Sequence, residues 1–137
     1  MAKDLFRYNT SELGRKVQEQ LQAMPFKTQR AMNAVGGFLN GEAKDRAPVD
    51  EGFLTADISN KTVQYKKSYA AVVYVPSNAA SAKYAIPMHE NTYQLGENSM
   101  AKQSKVSVPV GRKFITRALD DNRKNISNIL LRELKLK

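Results

Sequence analysis

The 137 residues include 22 lysines and arginines against 13 aspartates and glutamates, which gives a net charge of +9. With no cysteine and a single histidine, one chain cannot form a disulfide, a catalytic thiol or a metal centre that needs two histidines. No apolar run approaches the roughly 18 residues that span a bilayer, and the basic balance suits either nucleic acid or an acidic protein surface as partner.

The length predicts one domain, 1–137, with a helical part (1–47), a sheet (48–110) and a C-terminal helix (111–137). The helical part is predicted to hold two helices separated at Pro25, the first capped by Thr10 or Ser11. Its apolar residues recur at helical spacing: Leu13, Val17, Leu21 and Met24. The second helix, about 28–45, contains three glycines, which indicate either close approach of a neighbouring element or a kink: Gly36, Gly37 and Gly41.

The stretch "APVDEG" at 47–52 predicts a helix stop followed by a tight turn. Pro48 cannot continue a helix, the Asp50 side chain can hydrogen-bond its own backbone, and Gly52 can take a positive φ. Asp50 and Glu51 could instead act as a carboxylate pair, but turn chemistry accounts for both residues. Residues 53–65 are then predicted to be extended.

Two further stretches are predicted as strands. In "SYAAVVYVPS" both faces are apolar, so this strand is either central in a covered sheet or packed against a neighbouring subunit. In "KYAIPMHEN", Tyr84, Ile86 and Met88 alternate, and Pro87 places the strand at an edge or a bulge. The overall prediction is α+β: N-terminal helices and a small antiparallel sheet of three to four strands, with a C-terminal amphipathic helix packed on the sheet.

Residues 91–109 are polar and aperiodic, which predicts a long loop that reaches a neighbouring subunit, with "KVSVPV" as a short strand near its end. The last segment predicts one amphipathic helix interrupted by Asn122. Its basic residues form either a solvated face or a phosphate-contacting one: Arg112, Lys113, Arg117, Arg123 and Lys124.

His89 and Glu90 are the one pair that suggests catalysis, as a general base with an orienting acid. Neighbours in a strand point to opposite faces, so a strand at this position would keep the two side chains apart. We therefore interpret His89 as a structural or interface histidine, and the sequence predicts no enzyme, no metal and no cofactor.

Four segments of the chain resemble, in order, a family of small tailed-bacteriophage structural proteins. The segments are "AKDRAPVDEGFLTADI", "YAAVVYV", "KYAIPMHEN" and "GRKFITRALDDNRKNISNIL", and together they lie within about residues 40–130. The matching positions are Ala47, Pro48, Val49, Asp50, Gly52, Leu54, Tyr69, Ala70, Tyr84, Ala85, His89, Glu90, Phe114, Ile115, Ala118 and Leu119. Members of this family are minor capsid, neck or tail-completion proteins.

The resemblance implies a non-enzymatic virion component, assembled in the host cytoplasm, that forms a homo-oligomeric ring at the head–tail junction. Its partners would be other virion proteins: the connector or portal on one side and the tail tube or terminator on the other, with genomic DNA nearby. Candidate interface residues are Tyr69, Val73, Val75, Tyr84, Pro87, His89, Glu90, Tyr93 and Leu95. The alternative hypothesis is a small basic nucleic-acid-binding protein.

Overall fold

The computed structural model describes residues 2–135, with the side chains of residues 15, 18, 19 and 22–135. The first elements are α1 (Ala2–Arg46), α2 (Phe53–Asp57), β1 (Ser59–Tyr65) and β2 (Ser68–Tyr74). They are followed by α3 (Ala82–Glu90), α4 (Glu97–Gln103), α5 (Phe114–Asp121) and α6 (Arg123–Leu134). The predicted α+β class is confirmed, but within residues 2–135 the sheet has two strands and not three to four.

The N-terminal part is one continuous helix, so the predicted boundary at Pro25 and the predicted cap at Thr10 or Ser11 are wrong. A proline inside a helix removes one backbone donor and crowds the preceding turn. Pro25 is exposed, so water can hydrate the carbonyl that loses its donor. Of the predicted apolar stripe, Met24 is half-buried, and the side chains of Leu13, Val17 and Leu21 lie outside the described side chains.

The C-terminal half of α1 is the centre of the fold, because it contacts both strands as well as α5 and α6. The predicted packing of the C-terminal helix on the sheet is wrong, since α5 and α6 pack mainly on α1. At Gly36 a Cβ atom would lie 3.1 Å from the Asn60 side-chain nitrogen and 3.7 Å from the Ala71 Cβ. The predicted close approach is thus confirmed at Gly36.

The strand prediction for "SYAAVVY" is confirmed. β2 pairs with β1 in an antiparallel hairpin. In its register Ser59 lies opposite Tyr74 at one end and Tyr65 lies opposite Ser68 at the other. Two lysines make the turn, and Lys66 has a left-handed φ of 56°. The prediction of extended structure from residue 53 is wrong for its first five residues, which form α2.

The predicted third strand, "KYAIPMHEN", is wrong because these residues form α3. Tyr84 and Met88 alternate as in a strand, but they are also four residues apart, the spacing of one helix face. Pro87 lies in the last turn of this nine-residue helix and is exposed, so water can hydrate the carbonyl that loses its helical donor. The stretch is too short for its periodicity to distinguish strand from helix.

The segment 91–109 contains α4, and "KVSVPV" is not a strand. The Gln103 side chain fixes that segment instead: it donates to the Val108 carbonyl (2.8 Å) and accepts from the Val110 N–H (2.7 Å). The single predicted C-terminal helix is also wrong, because buried Asn122 separates α5 from α6. Its side chain donates to the Ala118 carbonyl (2.8 Å), which completes the end of α5.

The core connects the regions that the sequence motifs occupy. Its buried members are small or apolar residues from α1, α2, α3 and α5 and the residues next to them: Ala43, Ala47, Leu54, Ile58, Ala85, Phe114 and Ala118. Phe114 is wholly buried and is the largest side chain among them. Five of the seven are positions of the phage-protein resemblance, so these motif residues act first as packing residues.

Candidate interaction surface

Helix α3 is positioned by a contact from α2 that the sequence did not reveal. Ser81, just before α3, is wholly buried. It donates its backbone N–H (2.9 Å) and its hydroxyl (2.8 Å) to the same carboxylate oxygen of Asp57. A serine ahead of a helix is a known start signal, but its acceptor lies 24 residues earlier in the chain, beyond the reach of local patterns.

The turn at 47–52 is held by α4. The Ser99 hydroxyl accepts from the Val49 N–H (2.7 Å) and donates to the Val49 carbonyl (3.0 Å). The Asn98 side chain donates to the Asp50 carbonyl (2.7 Å). Gly52 has a φ of 89°, as the turn prediction requires. Among the described hydrogen bonds, Asp50 takes part through its carbonyl rather than through the predicted side-chain contact.

Lys102 of α4 completes the end of α1. Its ammonium group donates to the carbonyls of Lys44 and, at 2.7 Å, Ala47. Burial lowers the pKa of Lys102, although Asp45 nearby acts in the opposite direction. A lysine at a helix C-terminus satisfies carbonyls that have no partner within the helix. The segment 91–109 therefore buttresses the 47–52 turn of its own chain.

One side of α3 borders a groove of about 750 Å³, here called the first groove. Its apolar lining comes from α2, α3 and the segment after α3: Leu54, Tyr84, Met88, Tyr93 and Leu95. The Tyr93 hydroxyl donates to the Met88 carbonyl (2.8 Å), which fixes one wall. The predicted interface residues Tyr84, Tyr93 and Leu95 thus lie together.

The rim of the first groove is acidic. Asp50, Glu51 and Glu97 border it and are exposed, against the single cation Lys83. Burial raises the pKa of Tyr84, and the negative charges of Asp57, Glu51 and Asp50 raise it further. The first groove therefore combines an apolar floor with a negative potential, in a chain whose net charge is +9.

The other side of α3 borders a second groove of about 620 Å³. It is lined by the predicted interface residues Val75, His89 and Glu90, together with Ile86 and Phe114. Ile86 is 72% exposed at this position. Of the remaining predicted interface residues, Tyr69, Val73 and Pro87 lie outside both grooves, and Val73 packs against the core.

His89 and Glu90 do meet, contrary to the expectation drawn from a strand. The His89 Nδ1 lies 2.9 Å from a Glu90 carboxylate oxygen, and the other oxygen accepts from the Lys113 ammonium. The hydrogen bonds from Lys113 first, and then from His89, lower the pKa of Glu90. The His89 carbonyl also accepts from the Lys113 N–H at 2.7 Å.

The geometry of His89 favours a structural role. Its ring meets Phe114 edge-on with centroids 4.9 Å apart. With Nδ1 on a carboxylate, the proton of the neutral ring belongs on Nδ1 and Nε2 becomes an acceptor. Nε2 is buried and has no hydrogen-bond partner in the described part of the chain. The cluster therefore ties α3 to the start of α5.

The predicted basic face is divided by contacts. Arg112 donates to the Glu90 carbonyl (2.9 Å), and Arg117 donates to the carbonyls of Arg112 (2.9 Å) and Pro109 (2.8 Å). Burial lowers the pKa of Arg117, and the nearby Arg46 lowers it further.

The other three residues of that face are placed differently. Lys113 pairs with Glu90, and Arg123 pairs with Asp120 at 2.9 Å. Lys124 is exposed on α6. Four of the five cations, Arg112, Lys113, Arg117 and Arg123, therefore have hydrogen-bond or ion-pair partners within their own chain.

Among the side chains that the structure describes, no three His, Asp or Glu residues gather so that they could hold a metal ion. Within residues 2–135, no helix combines the length and the apolar character that crossing a membrane requires.

Comparisons of the chain with protein-family models, with curated proteins and with solved structures found no match.

Proposed function

We propose that this protein is a non-enzymatic structural component of a tailed-phage virion, a neck or tail-completion protein that forms a ring at the head–tail junction. The observation that carries the proposal is the surface around α3. The turn at 47–52, α3 and the start of α5 carry three of the four motif segments, and they border the two open grooves on either side of this helix.

The packing of the motif residues supports the same proposal. Ala47 and Leu54 of the first motif segment, Ala85 of the third and Phe114 of the fourth share one buried cluster. A resemblance spread over separate segments is stronger evidence when its positions pack together, because the packing of each segment then depends on the residues of the others. The remaining motif segment, β2, packs against α1 as part of the hairpin.

The chemistry of the grooves suits binding better than catalysis. Both are lined mainly by apolar side chains, with large ones left exposed at Phe53 (47%) and Ile86 (72%). Exposed apolar side chains beside concave surfaces are typical of protein–protein contacts. The second groove, with Ile86 beside it, is the surface that we assign to the connector or tail partner.

The experiment uses a tailed phage that encodes this chain. Interrupting the reading frame is expected to give DNA-filled heads and separate tails in electron micrographs. Adding the purified protein to such an extract should restore joined, infectious particles. Particles that are complete and infectious without the protein would contradict the proposal.

A matched pair of variants tests the assigned surface. Ile86→Asp protein should fail to restore joining, because an ionised carboxylate would have to be buried in the contact. Leu131→Asp is the control, since Leu131 is equally exposed, at 73%, but lies on α6. Equal restoration by both proteins would remove the second groove from the proposal.

A further inference from the structure

We propose that the tip of the β1–β2 hairpin of one copy docks into the first groove of the next copy, and that this heterologous contact builds the ring. The inference rests on the proposed function and specifies which surfaces of the chain would join. Its occupant is a second copy of this chain. The reasons are the charge, the exposure and the position of the two surfaces.

The hairpin tip extends away from the body of the protein. Six consecutive residues, 63–68, are exposed, whereas Thr62 and Ala71, which face each other across the strands, are half-buried. At about 3.4 Å per residue, the strands continue about 10 Å beyond that pair. The tip therefore has the reach to enter a groove on a neighbouring molecule.

The tip is cationic and has an aromatic side chain at its end. Lys66 and Lys67 form the turn, and Tyr65 beside them is 74% exposed. The Lys66 ammonium lies 5.5 Å from the centre of the Tyr65 ring. Tyrosine with neighbouring cations is a common anchor composition at protein interfaces.

The first groove offers the complementary surface. Its floor is apolar, and its rim carries Asp50, Glu51 and Glu97. These three carboxylates form no ion pair and no side-chain hydrogen bond within the described part of the chain. By contrast, Glu42, Glu90, Asp120, Asp121 and Glu133 are all paired with cations in their own chain.

The two surfaces differ, so the contact joins unlike patches. Such a contact leaves one free hairpin and one free groove at the ends of any open chain of copies, and it ends only when a ring closes. A ring built in this way needs no symmetric dimer as a unit. Opposite charges on the two patches would also orient the copies before they touch.

Cysteine cross-linking tests the contact, because the natural chain has no cysteine. Ser68→Cys labels the hairpin tip and Gln94→Cys labels the groove, and both positions are exposed. When the two single variants are mixed and oxidised, we expect a one-to-one cross-linked product. Ser127→Cys, an exposed serine on α6, mixed with Gln94→Cys is the control. Equal yields from the two mixtures would overturn the inference.

Charge reversal tests the same contact independently. Variant one carries Lys66→Glu and Lys67→Glu, and variant two carries Glu51→Lys and Glu97→Lys. In a background with both cysteines, each variant alone should cross-link between copies about tenfold less than the parent protein, because like charges then face each other. Mixing them restores both complementary contacts, so the yield should recover. Equal thermal melting temperatures verify folding, and failure of the mixture to recover would overturn the inference.

The outcomes separate this inference from the proposed function. If the phage needs the protein for joining but the charge-reversed mixture does not recover, only the hairpin contact is refuted. If copies cross-link as expected while the phage assembles without the protein, only the virion role is refuted. Cross-linking of Gln94→Cys to itself in preference to Ser68→Cys would indicate a symmetric dimer and overturn the hairpin contact.

Discussion

The contact between Asp57 and Ser81 should contribute more to stability than any surface ion pair of this protein. One carboxylate oxygen accepts two hydrogen bonds, at 2.9 and 2.8 Å, from a serine that is wholly buried. A hydrogen bond to a charged group is worth about 1.5–3 kcal/mol, and a buried donor left without an acceptor costs about 1–3 kcal/mol. We therefore expect Asp57→Ala to lower the free energy of unfolding by about 3 kcal/mol.

Urea denaturation of matched variants measures this effect. Asp57→Asn keeps an oxygen that can accept a hydrogen bond, so it should lose about half as much free energy of unfolding as Asp57→Ala. Asp120→Ala, which removes only the exposed pair with Arg123, should stay within about 0.5 kcal/mol of the natural protein. For a domain of this size, the melting temperature of Asp57→Ala should fall by about 10 °C.

A double-mutant cycle with Ser81→Ala identifies the partner. Ser81→Ala removes the hydroxyl but keeps the N–H, so part of the interaction with Asp57 remains. We expect a coupling free energy of about 1–2 kcal/mol between the two substitutions. If Asp57→Ala cost no more than Asp120→Ala, or if the cycle were additive, α3 would not be held in the way the structure indicates.

Three further predictions concern the packing, a carboxylate and a helix end. Gly37→Ala should raise the free energy of unfolding by about 1 kcal/mol. Gly36→Ala should raise it less, because its Cβ would lie 3.1 Å from the Asn60 side-chain nitrogen of the hairpin. Equal gains for the two variants in urea denaturation would contradict the close packing of α1 on the hairpin at Gly36. The pKa of Glu90 in the folded protein lies below its unfolded value, so its stabilising contribution is present above the unfolded pKa of about 4.3 and is lost as the pH falls through the folded pKa. Between about pH 5 and pH 2 the natural protein should therefore lose more free energy of unfolding than Glu90→Gln. Parallel plots of the free energy of unfolding against pH for the two proteins would contradict the role of Glu90 in the cluster. Lys102→Met should lower the free energy of unfolding by about 1–2 kcal/mol, because two backbone carbonyls lose their donor. Lys105→Met is the control, since Lys105 is exposed, and it should change the free energy of unfolding little. Similar losses for the two variants would refute the capping role of Lys102.

Local chemistry was enough to predict the elements that depend on nearby residues. Pro48 and Gly52 determine the turn at 47–52 through restrictions on their own backbones. The β-branched and aromatic run before Pro76 predicted β2, which the hairpin register confirms. In both cases the residues that carry the signal also carry the structure.

The elements that depend on distant residues could not be read in this way. The start of α3 is completed by Asp57, and the end of α1 by Lys102, which lies 58 residues after Lys44. In the sequence, Asn122 is a single polar interruption of an apolar stripe. In the structure it is buried, its side chain donates to the Ala118 carbonyl, and it separates α5 from α6. The contacts of Asp57 and Lys102 join residues far apart in the chain, whereas the Asn122 contact is local and only the burial of Asn122 depends on the tertiary packing.

The candidate surface was predicted in composition but not in arrangement. Tyr84, Tyr93 and Leu95 were candidates for one interface together with His89 and Glu90, yet α3 separates them into two grooves. A strand would have placed alternate residues on each side, whereas the helix places Tyr84 and Met88 on one flank and Ile86 and His89 on the other. The surface therefore has two grooves because Ala82–Glu90 form a helix and not a strand.

Cryo-electron microscopy of the head–tail junction in a phage that encodes this chain tests the proposed virion role most directly. We expect a ring of copies between the connector and the tail, into which this fold fits with each hairpin tip seated against the first groove of a neighbour. Complete particles whose junction holds no copy of the fold would contradict the account.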